Sequence, residues 1–156
     1  MRGRKIVSVV AGLALLGLGY TFGQNNSWLA PAEAAQAQAA KVVYHINDSK
    51  GQALAALRNI SNHLDAAPET EIVVVAHADG IDFLMPDYDD AMNVEPLVAG
   101  LESRGVKFEV CEITLQRRGL SKDDFMLFMD ESNFVPSGVV RLAELQNQEG
   151  FAYLKP

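Results

Sequence analysis

From Lys41 onward the chain alternates between two hydrophobic periods. Lys41-Val42-Val43-Tyr44-His45-Ile46 has the β-branched and aromatic content of a strand and ends in the turn residues Asn47, Asp48 and Ser49. Gly51 to Ala66 follows with Leu54, Leu57, Ile60 and Leu64 at helical spacing, which predicts an amphipathic helix. Glu71-Ile72-Val73-Val74-Val75-Ala76-His77 is apolar at consecutive positions, as a parallel strand buried on both faces requires. A second helix is predicted over Asn93 to Ser103, with Val94, Leu97, Val98 and Leu101 in one stripe, Pro96 placed in the first turn and Arg104-Gly105 as the stop.

Val106 to Cys111 reads as the third strand. Ser121-Lys122-Asp123-Asp124 reads as the cap and first turn of a short helix through Met129, and Phe134-Val135-Pro136 as a fourth strand. Ser137-Gly138 opens a helix over Val139 to Gln146, and Phe151-Ala152-Tyr153-Leu154 closes the series as a last strand. Repeated βα units of this kind predict a single α/β domain over residues 41–156, with a mostly parallel sheet and flanking helices.

The first forty residues have a different pattern. Arg2, Arg4 and Lys5 precede an uncharged, largely apolar run from Ile6 to Phe22, and the small-x-small sites Ala32-Glu33-Ala34, Ala35-Gln36-Ala37 and Ala37-Gln38-Ala39 come after it. This is the three-part layout of a secretory signal. The run also approaches the roughly 17 to 25 residues of a bilayer-spanning helix, so residues 1–40 are read as a signal peptide or an N-terminal membrane anchor, with 6–22 the only membrane contact. The domain is therefore expected outside the inner membrane, in the periplasm.

Charge and cysteine content narrow the function. The chain has 13 basic and 20 acidic residues; Arg2, Arg4, Lys5 and Glu33 precede Lys41, which leaves 10 basic and 19 acidic residues, a net of −9, in the domain. Such a surface repels polyphosphates and argues against nucleic acid as a partner. Cys111 is the only cysteine, so no internal disulfide framework is available. On a strand, Val106, Phe108 and Val110 share one face while Lys107, Glu109 and Cys111 share the other, which takes the sulfur off the apolar row.

Cys111 also ends its strand, on the edge where open α/β sheets place their ligands. The same edge collects His45 with Asn47, His77 and Ser137. A histidine within reach of the thiol would lower its pKa and make a nucleophile near neutral pH. His63, on the flank of the first helix, reads as structural.

Other motifs fail on their spacing. Asp79, Asp82, Asp87, Asp89 and Asp90 form an acidic loop, but counting from Asp87 puts Met92 where a calcium loop needs glycine and gives no glutamate at the twelfth place. No G-x-G-x-x-G, Walker A, H-E-x-x-H or C-x-x-C occurs, so no metal or organic cofactor is expected. Phe83-Leu84-Met85 is an apolar cluster within this polar loop, expected either to cover a cleft or to bury itself against another subunit.

Several segments together resemble one family. Tyr44-His45-Ile46-Asn47-Asp48, Val73-Val74-Val75-Ala76-His77, Gly105-Val106-Lys107-Phe108-Glu109-Val110-Cys111, Leu115-Gln116-Arg117-Arg118-Gly119 and Val135-Pro136-Ser137-Gly138-Val139 look like the DsrE/DsrF-like (YchN-like) sulfur-relay proteins. The resemblance covers nearly all of residues 41–156. It implies a flavodoxin-like fold, assembly into homotrimers or homohexamers, and a cysteine that accepts sulfur as a persulfide from a donor and passes it to an acceptor protein; Cys111 falls on that position. A carried persulfide anion needs donors, for which the backbone N–H groups after the strand, the Ser137-Gly138 helix start, and Arg117 or Arg118 from this or a neighbouring subunit are the candidates. Two functions remain in view: an exported sulfur carrier or sulfurtransferase using Cys111, and an oligomeric module that binds a small ligand and keeps its cysteine as a structural residue.

Overall fold

The computed structural model describes residues 39–156. The proposed signal or anchor segment lies outside the described residues, apart from its last two positions. Five parallel strands form one sheet in the order β4-β3-β2-β1-β5: β1 is Lys41–Asp48, β2 Glu71–Asp79, β3 Lys107–Cys111, β4 Phe134–Val135 and β5 Ala152–Leu154. Helices α1 (Leu54–Ala66), α2 (Ala91–Ser103), α3 (Glu112–Arg118) and α4 (Gly138–Asn147) connect them in a flavodoxin-like α/β arrangement.

The chain steps across the sheet in one direction from β1 to β4. It then returns through α4 to place β5 on the far side of β1. Because parallel crossovers are right-handed, this reversal puts α4 on the face opposite α1 and α2. Strand alternation divides the core accordingly. Val42, Tyr44, Ile46, Ile72, Val74, Ala76, Phe108 and Val110 pack with Leu57, Ile60, Leu64, Val94, Val98 and Leu101 in one large cluster. On the other face, Val43, Val73 and Val75 meet Leu142, Leu145 and Phe151 in a smaller one.

Differences from the sequence reading have local causes. The first helical segment begins with a wide turn at Ser49–Ala53, where the Asp48 carboxylate accepts from the Gly51 N–H at 3.2 Å. Helix α2 starts at Ala91, so Pro96 lies in its second turn rather than its first, on the exposed side of the helix, where the missing N–H leaves one backbone bond unmade. The helix expected through Met129 is only a single turn, Lys122–Asp124. Asp124 folds back to accept from the Ser121 N–H at 2.7 Å, and the chain then extends so that the Met126 N–H reaches the Leu84 carbonyl at 3.0 Å.

That contact also explains the apolar loop cluster. Phe83 and Leu84 are fully buried within their own domain, Phe83 edge-on to Phe108, and Met85 packs against the same core. Phe83 and Leu84 are therefore part of the fold's interior, and neither a cleft lid nor a subunit surface, while Met85 beside them stays partly exposed.

Candidate functional site

The edge of the sheet at Cys111 is built by two local devices. The first is a bulge: Ile46 pairs with Ala76, but Asp48 pairs with Asp79, so β2 carries one residue more than β1 at its end. Ala78 absorbs it at φ 52°, a conformation a side chain adopts only under strain. Bulges of this kind re-aim neighbouring side chains. The chain then turns at Gly80, where any Cβ would lie 2.2 Å from the Ile46 carbonyl oxygen, so only glycine lets β1 and this turn pass. The second device is α3, which the sequence reading left out. Strand β3 runs directly into it, with Cys111 as its N-cap and Gly119 as a left-handed C-cap at φ 68°.

Thr114 joins the two. Its hydroxyl oxygen accepts from the Ala78 N–H at 3.0 Å, and its O–H is left to donate to the Cys111 sulfur. The backbone N–H groups of Gly138, Thr114 and Ile113 also stand near the sulfur and favour its charged form, without a formed side-chain cap bond to α3. Burial, with Cys111 only 5% exposed, pushes the thiol pKa up; these four donors outweigh it and hold the thiol below its ordinary value. Neutral N–H and O–H groups therefore stabilise the thiolate, where the sequence suggested a histidine.

Gly138, the first residue of α4, closes over the sulfur. A Cβ there would stand 3.2 Å from the Cys111 Cβ and 3.3 Å from the His77 Cβ, so glycine is what lets the helix start come this near. The preceding Ser137 caps α4, its hydroxyl accepting from the Val140 N–H at 3.5 Å.

Around the thiol is a cavity of about 350 Å³ lined by His77, Cys111, Thr114, Arg117, Arg118 and Ser137, with Ala78, Asp79, Ile113 and Val139 completing the wall. Of the residues singled out from sequence, Cys111, His77, Arg117, Arg118 and Ser137 thus meet in one place and Gly138 abuts it. Arg118 is held by Asp82 at 2.5 Å, whereas Arg117 makes no ion pair among the described residues. Asn47 stands apart, its N–H bonded to the Gln52 side chain at 3.0 Å. His63 bonds the Tyr44 hydroxyl at 3.1 Å, away from the cavity.

His45 lies one step behind the wall. Its Nε2 is 2.7 Å from His77 Nε2, and its Nδ1 is 2.6 Å from the Tyr153 hydroxyl. Burial first, then His77 and Lys155, push His45 down to about 4; burial and Lys155 also lower His77. Both rings are neutral at pH 7. Sequence reasoning missed Thr114, Ala78 and Tyr153. Thr114 alone left a signal, three residues beyond Cys111 and so on the same helical face, legible once strand and helix are known to be continuous.

Comparison with known proteins follows the same outline. The DsrE/DsrF-like family profile matches residues 29–156. No curated protein matches. Among solved structures, the chain is similar to a protein of unknown function, MTH1491 from Methanobacterium thermoautotrophicum, at 30% identity with a TM-score of 0.65, over 75% of this chain and 99% of that one.

Proposed function

This chain belongs to the DsrE/DsrF-like family, and from that premise we propose that it is an exported sulfur-relay protein that takes up sulfur as a persulfide on Cys111 and passes it to an acceptor thiol. The observation that carries the reading is the thiol itself: one cysteine at the floor of a cavity, its sulfur surrounded by four N–H and O–H donors that favour the anion.

In the first step the Cys111 thiolate attacks the terminal sulfur of a donor R–S–S–H. The new S–S bond forms as the donor's S–S bond breaks, which gives Cys111–S–S–H and the leaving thiolate R–S⁻, ready to take up a proton as R–S–H. In the second step an acceptor thiolate attacks the outer sulfur and Cys111 leaves as thiolate. Neither step needs a metal or cofactor. Arg117, without an ion pair among the described residues, is suited to draw the anionic donor in, while the cavity accommodates a small donor or the tip of a protein's persulfide-bearing loop.

Assembly as a homotrimer or homohexamer is part of the proposal. Its support is the incompletely covered face of the sheet, where Ile113 and Val139 at the cavity rim and Val140 beside them on α4 are exposed. Export rests on the N-terminal sequence pattern.

The test is intact mass after incubation with polysulfide. Wild-type protein is expected to gain sulfur and Cys111→Ser to gain none with its fold unchanged. If wild type gains none, or the serine variant gains as much, the cavity belongs instead to a small-ligand-binding module with a structural cysteine.

A further inference from the structure

Four neighbouring strands place polar side chains in one row on the face that α4 covers. Tyr153 stands on β5, His45 on β1, His77 on β2 and Cys111 on β3. The register makes the row oblique: Tyr153 pairs with Val43, two residues before His45, and His45 pairs with Val75, two residues before His77. Side chains in such diagonal positions on one face lie within reach when they are long or aromatic. The contacts made are a continuous chain, from the Tyr153 hydroxyl to His45 Nδ1 at 2.6 Å and from His45 Nε2 to His77 Nε2 at 2.7 Å. His77 then lines the cysteine cavity with Nδ1 as its remaining nitrogen.

We propose that Tyr153, His45 and His77 form a reversible proton relay that serves the sulfur-transfer chemistry at Cys111, a role that rests on the function proposed above. A neutral imidazole donates through one nitrogen and accepts through the other. The row therefore has two self-consistent orientations. In one, His77 Nε2–H donates to His45, His45 Nδ1–H donates to the Tyr153 oxygen, and His77 Nδ1 is a free base. In the other, Tyr153 O–H donates to His45, His45 Nε2–H donates to His77, and His77 Nδ1 carries a proton.

One transfer cycle uses both. The Cys111 thiol gives its proton to His77 Nδ1, the shared protons shift along the row, and Tyr153 releases one to solvent. The thiolate then attacks R–S–S–H as above. The leaving R–S⁻ takes a proton from His77 Nδ1, the row shifts back, and Tyr153, 40% exposed, recovers a proton from water. The sum is Cys111–S–H and R–S–S–H going to Cys111–S–S–H and R–S–H, with no net proton gained or lost.

The surroundings favour shuttling over storage. Lys155 follows the row's outer end and Arg117 flanks its inner end, with Asp79 on the cavity wall; Arg141 on α4 is committed to Glu109 and Glu149. Imidazolium is disfavoured at both rings, so a proton passes through the row without resting on it. His77 is the catalytic member, and His45 and Tyr153 are positioning residues that act through it.

The experiment compares two reactions of the full chain across pH 6 to 9. Single-turnover sulfur uptake from cysteine persulfide needs a proton delivered to the leaving group; alkylation by iodoacetamide releases iodide and needs none. Tyr153→Phe and His45→Gln are expected to slow sulfur uptake about tenfold or more near neutral pH, to reduce its solvent deuterium isotope effect and to leave alkylation unchanged. Uptake by both variants at the wild-type rate with an unaltered pH profile overturns the relay while the carrier function stands. Equal losses in uptake and alkylation also overturn it, since they mark a disturbed thiol environment. A wild-type protein that takes up no sulfur removes both readings together.

Discussion

The two faces of the sheet are made from the same three central strands and do different work. Towards α1 and α2, alternate residues are Val42, Tyr44, Ile46, Ile72, Val74, Ala76, Phe108 and Val110, which close into the larger core. Towards α4, the same strands present Val43, Val73 and Val75, then change at their C-terminal ends to His45, His77, Glu109 and Cys111. One helix cannot cover what two helices cover. The polar ends therefore remain beside a cavity, and the site is a region the second layer leaves open.

Even so, this face is not solvent-like. Glu109 is 7% exposed and holds Arg141 through two contacts at 2.8 and 3.2 Å, and Arg141 also meets Glu149. The pairing raises the Arg141 pKa above its ordinary value, chiefly through the Glu109 hydrogen bonds. A charge removed from water needs such partners. The result pins α4 over β3 and so fixes Gly138 above the thiol.

The comparison makes unequal demands on mutations. The largest effect on folding is expected on the two-helix face: Phe108→Ala, which empties a fully buried ring site against Phe83, should cost about 3 to 5 kcal/mol of unfolding free energy by denaturant titration. A much smaller cost would mean that the core collapses around the gap and that the two faces differ less than their packing implies.

On the other face, Gly138→Ala should act on chemistry before stability. The added methyl presses on the Cys111 and His77 Cβ atoms and moves a thiolate donor, so iodoacetamide alkylation near pH 7 should slow about tenfold, the equivalent of about one pKa unit, while stability falls by about 1 to 3 kcal/mol. Unchanged alkylation would detach the α4 start from the thiol's acidity.

Acid should find the same face. His45 titrates near 6.5 in the unfolded chain and near 4 in the folded one, so above pH 6.5 neither state binds its proton; below it the unfolded chain does so first. Stability is then lost as pH falls from 6.5 to about 4 and levels off below. Allowing for solvent screening, His45→Gln should remove on the order of 1 kcal/mol of that acid sensitivity, read as a flatter Tm against pH over the window. The smallest effect is expected at the bulge. Ala78→Gly relieves the left-handed backbone and should stabilise the chain by up to about 1 kcal/mol, with any gain reduced by glycine's freedom when unfolded.

The sequence alone determined the order and type of nearly every element, because a buried parallel strand and an amphipathic helix write different periods into the chain. It placed His45, Asn47, His77, Cys111 and Ser137 at one edge, since parallel strands end on the same side; of these, His77, Cys111 and Ser137 line the cavity, while His45 lies behind its wall and Asn47 stands apart. The helix Glu112–Arg118 left too short a pattern to separate from the strand before it, and a lone apolar trio in a loop gave no sign that it belonged to the main core.

Only the tertiary structure decided what surrounds the sulfur. The donors on Cys111 come from Thr114, Ile113 and Gly138, the last from a helix 27 positions along the chain, and the Tyr153–His45–His77 row unites three strands through the register of their pairing. Hydrophobic period is a local property that a few neighbouring residues express. Which polar groups meet across a sheet depends on strand order, on one extra residue in β2 and on the face α4 crosses, and these are settled when the whole chain packs.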